Sequence, residues 1–138
     1  KKIKNADIAI CNAAVSDWKI DNPSKIKIKK SSSKPKIKLI SNPDILASIA
    51  KRDINRPKLV IGFAAETNDL ISNAQKKLKD KNCDWIIAND VLKNPDVFGG
   101  ANNKITFITE NQMEKWKKTN KNIIADKLAK KIEDFFKK

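Results

Sequence analysis

The stretch KLVIGFAAETNDLISNAQKKLKDKNCDWIIAND, residues 58 to 90, decides the fold class of this chain. It begins with an apolar run (58–65), continues into a polar segment in which apolar residues recur every four positions (68–81), and ends in a second apolar run (83–90). That spacing places the apolar residues on one face of a helix. Two continuous apolar runs joined by such a helix predict two strands, each buried on both faces. The stretch therefore predicts a parallel sheet covered by helices.

The segments that precede this stretch continue the alternation of strands and helices. ADIAICNAA (6–14) is a continuous apolar run and predicts another strand buried on both faces. PKIKLI (35–40) alternates lysine with isoleucine or leucine, which predicts a strand with one solvent-exposed face. SNPDILASIAK (41–51) has the start signal of a helix, with Asn42 as the N-cap and Pro43 in the first turn.

The last third of the chain predicts a hairpin and a closing helix. KITFIT (104–109) and MEKWKK (113–118) are short strand-like runs, and NKNIIADKLAKKIEDFF (120–136) is amphipathic. Strands and helices in this order are typical of a sheet covered on both faces. We therefore predict a three-layer α/β fold with a mostly parallel sheet, in one domain over residues 1–138.

The net charge of +14 raises the question of nucleic-acid binding. Of the 30 basic residues only Arg52 and Arg56 are arginine, although arginine is the preferred residue for phosphate and guanine recognition. Lysine, asparagine and isoleucine are abundant together, as an AT-rich genome would produce. The composition therefore favours a solvated lysine-rich surface over a binding track for a polynucleotide.

Composition also bears on location and on metals. No apolar run is long enough to span a membrane, and KKIKNADIAI at the start lacks the features of a signal peptide. The expected protein is cytoplasmic, without a membrane partner.

Cys11 and Cys83 lie inside apolar runs, where a free thiol acts as a small core residue. A zinc site is not expected, because the chain has no histidine and no Cys-x-x-Cys motif.

Small residues lie at the ends of three predicted strands, in AAVSD (13–17), GFAAET (62–67) and IANDV (87–91). In parallel sheets, ligands bind at the carboxyl ends of the strands. A glycine or alanine there can simply admit a helix, or it can let a ligand approach the backbone. Their recurrence on several strands favours a ligand cleft. The candidate wall residues are Ala13, Ala14, Gly62, Ala64, Ala65 and Asn89.

SKIKIKK (24–30) admits two interpretations of equal weight. As a strand it would place Lys25, Lys27 and Lys29 on one face, which protects a sheet edge against aggregation. As a basic flap, flanked by serines and a proline, it would close over a polyphosphate and neutralise its charge. The residues leave both interpretations open.

Six motifs stand in a fixed order along the chain. They are NAAVSDW, KIKK, SNPDIL, GFAAET, the Lys-Leu-x-x-Lys-x-x-Asp step from Lys77 to Asp84, and ANDV followed by FGGANN. In order and spacing they resemble phosphopantothenate–cysteine ligase, also called phosphopantothenoylcysteine synthetase. The resemblance covers essentially the whole chain. It implies a Rossmann-like fold and a homodimer.

This resemblance implies a two-step reaction in coenzyme A biosynthesis. CTP, accompanied by Mg²⁺, activates the carboxylate of 4′-phosphopantothenate as an acyl-cytidylate, and the amine of cysteine then displaces CMP. Lys27 would be the catalytic lysine that stabilises the phosphates, and Phe63 would lie against the nucleotide. The nucleotide-binding positions that the resemblance implies are Asp17, Lys27, Pro43, Asp44, Ile45, Leu46, Phe63, Lys77 and Lys81.

The ligase family also has a segment that does not occur in this sequence. A first strand, a Gly-rich turn and an S-N-x-S-S-G segment precede the first motif there, and the asparagine of that segment acts on the intermediate. The chain is therefore expected to be a ligase domain that is incomplete at its N-terminus. In bacteria a flavin-dependent decarboxylase usually precedes the ligase, so FMN is expected only if such a domain is present.

Two other function classes remain as alternatives. A non-catalytic nucleic-acid-binding domain would interleave aromatic and basic residues on one exposed face, but the three tryptophans lie in separate elements and tyrosine is absent. A Rossmann-like NAD(P) enzyme would need a G-x-G-x-x-G motif, which this sequence lacks. The expected partners are therefore CTP, 4′-phosphopantothenate and cysteine, and no nucleic acid.

Overall fold

A computed structural model of the chain describes residues 5–29, 36–91 and 99–137. The elements in these ranges are β1 (Ile8–Cys11), β2 (Trp18–Ile20), β3 (Leu39–Ser41), α1 (Ile45–Ala50), β4 (Leu59–Glu66), α2 (Leu70–Lys81), β5 (Trp85–Asp90), β6 (Asn102–Asn103), β7 (Ile105–Ile108), β8 (Met113–Lys115), β9 (Thr119–Asn120) and α3 (Lys121–Phe136). None of the described helices is both long and apolar enough to cross a bilayer.

Five strands form one mixed sheet in the order β1-β4-β5-β7-β8. β1, β4 and β5 run parallel, and β7 and β8 extend the sheet antiparallel. The strands predicted from the deciding stretch are β4 and β5, which pair with each other and are connected by α2. The predicted parallel core, the hairpin and the closing helix are thus confirmed.

Helices cover both faces of the sheet and create two separate cores. α1 and α2 pack on one face, through residues such as Leu46 and Leu78. α3 packs on the other face through Ile124, beside Trp85 and Trp116. Both tryptophans are buried, and each contacts the ring of the same phenylalanine of β7. This arrangement confirms the predicted three layers.

Helix α1 starts later than the sequence predicted. Asp44, not Asn42, is the N-cap, and its Oδ1 accepts a hydrogen bond from the Ala47 amide at 2.9 Å. Asn42 instead donates from its Nδ2 to the Ser16 carbonyl oxygen at 2.8 Å, and Pro43 precedes the helix. The prediction was wrong because both side chains can cap, and an ionised aspartate gains more from the positive end of the helix dipole.

Strand β1 is an edge strand among the described strands, not a strand buried on both faces. It pairs only with β4 in the sheet, and 49% of Ile10 is exposed. Residues 12–14, which the sequence placed in this strand, lie beyond its end and are exposed. An apolar run reports local hydrophobicity and not the number of neighbouring strands.

A separate two-stranded sheet consists of β2, which the sequence did not predict, and of β3, which lies at the end of the predicted strand 35–40. β2 pairs antiparallel with β3, with Trp18 opposite Ser41. Residues 24–29 contain no strand, and 81% of Ile26 and 66% of Ile28 are exposed. Of the two interpretations left open, the lysine-protected edge strand is therefore wrong for 24–29, because the isoleucines that would form its apolar face are exposed. Lys30 and Pro35 lie outside the described residues.

Cys83 is a buried thiol whose reactivity should depend on folding. Burial raises the pKa of Cys83 to about 11, whereas an unfolded chain has a thiol pKa of about 8.5. The contribution to stability is therefore fully present below about pH 8.5 and is lost as pH rises toward 11. We expect alkylation of Cys83 by iodoacetamide at pH 8 to be roughly 100-fold slower in the native protein than in urea. Peptide mass spectrometry measures both rates, and equal rates would contradict the buried position.

Candidate functional site

Two of the predicted nucleotide-binding segments meet beyond the carboxyl end of β1. The Asn42 amide donates to the Asp17 carbonyl oxygen at 2.8 Å, and the Asn42 side chain bonds Ser16, as described above. These bonds join the AAVSD segment to the start of α1. The side chains of Asp17, Ala13 and Ala14 are exposed and therefore accessible to a ligand.

Helix α2 brings Lys81 to the start of α1. Its Nζ lies 3.1 Å from Asp44 Oδ2, while the other oxygen of Asp44 caps α1. Burial raises the pKa of Asp44, but hydrogen bonds from the Ala47 amide and the Lys81 ammonium outweigh it and hold the pKa below its ordinary value. Asp17, Asp44 and Lys81, from three separate motifs, therefore belong to one region of the molecule.

Lys77 is paired with a carboxylate that the sequence had not assigned to the site. Its Nζ lies 2.7 Å from Oε1 of Glu66, the last residue of β4. The Glu66 side chain is 10% exposed and that of Lys77 is 41% exposed. Lys77 and Lys81 lie four residues apart and share a helix face, as their sequence spacing predicted. Each of the two predicted nucleotide-binding lysines of α2 is thus paired with a carboxylate.

Gly62 and Ala64 face the helices and account for the close packing of α1 on the sheet. A Cβ atom at Gly62 would lie 2.4 Å from Leu46 Cδ2 and 2.9 Å from Ile86 Cδ1, so a larger residue would force these buried side chains to shift. Ala64 is 2% exposed in the same core. Leu46, predicted to bind the nucleotide, is itself buried on Gly62. At Gly62 and Ala64 the structure therefore supports the alternative in which a small residue lets a helix pack closely on the sheet.

The remaining wall residues of the same strands point to the opposite face. Alternation along β4 places Phe63 and Ala65 on the α3 side, and the parallel register aligns Ala65 with Asn89 of β5. Phe63 is 39% exposed, whereas Asn89 is buried. Residues 62–65 therefore do not form a single wall, because neighbouring strand residues alternate between faces. An aromatic contact from Phe63 to a nucleotide stays a prediction.

Lys27 is exposed and lies in the irregular segment after β2. The segment is locally ordered by Ser24, whose Oγ donates to the Ile26 carbonyl oxygen at 2.7 Å. The described contacts do not connect Lys27 to Lys77, Lys81 or the start of α1. Its role as a phosphate-stabilising flap residue therefore stays a prediction.

A cleft of about 650 Å³ lies beside the predicted site, between the start of α2 and the β7–β8 hairpin. Thr67, the last residue of GFAAET, and Asn68 form one side, and Lys104 and Lys115 are on the other. None of the predicted nucleotide-binding residues lines this cleft. Cleft size therefore does not locate the predicted nucleotide site.

The DNA/pantothenate metabolism flavoprotein C-terminal domain family matches residues 1–136. The chain belongs to this family.

Relatives of this DNA/pantothenate metabolism flavoprotein domain carry two different names. A protein of an unknown prokaryotic organism called cysteine/cysteine sulfinic acid decarboxylase is 40% identical over 131 residues, covering 94% of this chain and 36% of that protein. The coenzyme A biosynthesis bifunctional protein CoaBC of Haemophilus influenzae is 36% identical over 136 residues, covering 99% of this chain and 33% of that protein. The chain thus spans about a third of the length of these relatives.

A solved structure supports the same family. The crystal structure of the C-terminal domain of coenzyme A biosynthesis bifunctional protein CoaBC has a TM-score of 0.72 at 27% identity, covering 98% of this chain and 57% of that one. This similarity confirms the predicted Rossmann-like α/β fold.

The contact between Glu66 and Lys77 is a feature of this family domain that the sequence interpretation missed. The sequence shows a carboxylate directly after the small residues of GFAAET, but it does not show which lysine contacts it. Its position at the end of a strand, across from a helix lysine, becomes visible only in the folded chain. The sequence signal that could have indicated this contact is the position of Glu66 itself. It is an acidic residue at the end of an apolar strand, where exposure to solvent is not the expected reason for a charge.

Proposed function

We propose that this chain belongs to a phosphopantothenate–cysteine ligase of coenzyme A biosynthesis. The observation that carries the proposal is the convergence of three motifs: the backbone of SNPDIL bonds AAVSD at the Asp17 carbonyl oxygen, and Lys81 of the α2 lysine step pairs with Asp44 of SNPDIL. The names of the CoaBC relatives support the same reaction class. A CTP-dependent reaction with 4′-phosphopantothenate and cysteine is the specific form that we propose.

The proposed reaction needs charge stabilisation more than acid–base chemistry. An oxygen of the substrate carboxylate attacks the α-phosphorus of CTP and pyrophosphate leaves; the cysteine amine then attacks the acyl carbon and CMP leaves, with the ammonium proton released to solvent. The ammonium groups of Lys77 and Lys81, 41% and 29% exposed, would neutralise the phosphates. No histidine base is required, and the chain contains no histidine.

Magnesium would enter this site with the nucleotide. Mg²⁺ at nucleotide sites is held by substrate phosphates, water and one or two carboxylates. The exposed Asp17 fits such a limited protein contribution, and the described residues contain no cluster of three or more potential metal ligands. The bound ion would neutralise part of the triphosphate charge.

We also propose a cytoplasmic homodimer. The β2–β3 sheet exposes apolar side chains on one face, with Trp18, Ile20 and Leu39 respectively 57%, 47% and 54% exposed. Exposed apolar faces of this kind are typical of protein–protein contacts. Sedimentation equilibrium of the full-length natural protein should give twice the chain mass, and a monomer at micromolar concentration would contradict the proposal.

Nucleotide binding and turnover test the proposed function directly. In the full-length natural protein, CTP with Mg²⁺ should raise the melting temperature, and 4′-phosphopantothenate should then trigger pyrophosphate release. CMP release should require cysteine. ATP serves as the matched nucleotide, and equal stabilisation by both would remove the proposed preference for CTP.

A mixed-sequence oligonucleotide separates the ligase from the nucleic-acid binder. A binder with six to ten phosphate contacts would lose roughly 10³-fold or more in affinity between about 50 and 200 mM salt. The ligase should respond weakly to the oligonucleotide, since Trp85 and Trp116 are buried and only Trp18 among the tryptophans is exposed to stack on a base. Stabilisation by the oligonucleotide alone would refute the ligase proposal.

Lys77 should matter to the nucleotide far more than its neighbour Lys76. Lys77→Met should raise the Kd for CTP at least about tenfold, corresponding to a loss of about 1.4 kcal/mol. Lys76→Met removes the same charge from an exposed position of α2 and should change the Kd less than about twofold. Isothermal titration calorimetry gives both constants. Equal losses would mean that the general positive charge of the protein, and not this site, attracts the nucleotide.

A further inference from the structure

Glu66 is distinguished by its burial among the charged side chains whose surroundings are described. The buried polar residues are Glu66, Asn89 and Thr106, and only Glu66 is charged. Its Oε1 has no hydrogen-bond partner among the described residues, although Lys77 Nζ lies 2.7 Å away. The contact is therefore an ion pair without hydrogen-bond geometry.

Stability does not explain why a carboxylate occupies this position. Removing a charge from water is costly, and buried ion pairs are often no more stable than apolar replacements of similar volume. The carboxylate also caps none of the described helices, in contrast to Asp44, which caps the start of α1. The Glu66–Lys77 pair therefore needs another reason.

The geometry supplies that reason. Lysine has a flexible stem, so an unpaired ammonium would sample many positions. Glu66 ends β4 at a point where the strand is paired with β5, and its carbonyl oxygen accepts a hydrogen bond from the Val91 amide at 3.0 Å, so β5 fixes the backbone at Glu66. Lys77 is 41% exposed, so its ammonium can contact Glu66 and still present donors to a ligand in solvent.

We propose that Glu66 is a positioning residue that holds the Lys77 ammonium where the phosphates of the nucleotide bind. This inference rests on the proposed ligase function and deepens it. Protein kinases use the same arrangement, in which a glutamate pairs with the lysine that contacts the phosphates. Here the strand end supplies the fixed carboxylate and the helix supplies the lysine.

Glu66→Gln tests the proposal, because it keeps the shape of the side chain and removes its charge. Two effects on CTP binding oppose each other: the lysine loses its fixed position, but the repulsion between carboxylate and phosphate also disappears. The alignment of the reacting phosphates depends on the position of the lysine, and the loss of repulsion does not restore it. We therefore expect kcat for pyrophosphate release to fall at least about tenfold while the KM for CTP changes less than about threefold.

Asp80→Asn is the matched control, since it removes one negative charge from an exposed position of the same helix. It should leave kcat within about twofold of the wild-type value. In a Lys77→Met background, Glu66→Gln should have no further effect on kcat, because there is no ammonium left to position. A purely structural Glu66 would lower kcat in both backgrounds.

The outcomes distinguish this inference from the proposed function. Absence of CTP-dependent pyrophosphate release in the wild-type full-length protein would refute the proposed function. With an active wild type, an unchanged kcat in Glu66→Gln would refute the positioning role alone. An equal fall of kcat in the Lys77→Met background would refute it as well.

Discussion

Replacing Arg56 with methionine should lower the free energy of unfolding by about 2–3 kcal/mol and the melting temperature by roughly 10 °C. Its guanidinium donates to the carbonyl oxygens of Ala50, Pro57 and Asn82 and to both carboxylate oxygens of Asp84. The donor–acceptor distances are 2.7 to 3.1 Å. One side chain therefore joins the end of α1, the start of β4, the end of α2 and the start of β5.

Methionine keeps the aliphatic bulk but leaves these acceptors without the guanidinium. Asp84 would retain one bond, from the Val60 amide to its Oδ2 at 2.7 Å, but would lose its cation. The side chains of Arg56 and Asp84 are 25% and 32% exposed, so water recovers part of the loss and the expected effect stays below that of a fully buried pair. Arg56→Lys should also destabilise, because an ammonium cannot reproduce the planar fork.

Arg52 provides the matched control for this prediction. It is the other arginine of the chain, and Arg52→Met should change the free energy of unfolding by less than about 0.5 kcal/mol. Urea unfolding followed by circular dichroism measures both variants. Equal stabilities of Arg56→Met and the wild type would show that the hydrogen-bond cluster contributes nothing net.

The sequence predicted the centre of the fold well, because there the local pattern and the tertiary environment agree. β4 and β5 are buried apolar runs, and α2 between them has a single apolar face, so periodicity determines each element. The closing helix α3 was predicted for the same reason. Its apolar face packs on the sheet, while Glu114 of β8 accepts hydrogen bonds from Lys131 of that helix and from Trp116.

The sequence failed where neighbours, not local pattern, decide the outcome. Residues 24–29 alternate as a strand should, yet the pairing partner of the described β3 is β2. Asn42 and Asp44 are both competent caps, and only the fold assigns Asn42 to the Ser16 carbonyl. In each case the competing positions have similar local propensity, and a long-range contact selects one of them.

In the candidate site, too, the sequence predicted the features that local pattern determines and missed those that long-range contacts determine. The sequence spacing places Lys77 and Lys81 on one helix face, and the structure bears this out because helix geometry is local. Their carboxylate partners come from β4 and from the start of α1, which no local rule connects to α2. The composition of GFAAET indicated close approach, but only the register shows that its small residues alternate between the two faces.

Gly62→Val should be the most damaging single substitution in GFAAET, with a loss of about 3 kcal/mol in the free energy of unfolding. Even a single added carbon atom would overlap Leu46 Cδ2 at 2.4 Å, and both Leu46 and Ile86 are buried and cannot swing into solvent. Valine is otherwise favoured in strands, so a loss of stability would report the overlap and not strand propensity.

Ala65→Val is the control for Gly62→Val, because Ala65 lies in the same strand and is exposed on the opposite face. It should change the free energy of unfolding by less than about 0.5 kcal/mol. If Gly62 instead served as a nucleotide wall, Gly62→Val would keep its melting temperature and weaken CTP binding. Thermal unfolding and CTP titration of the same variant therefore decide whether this glycine admits a helix or a ligand, and we expect the helix.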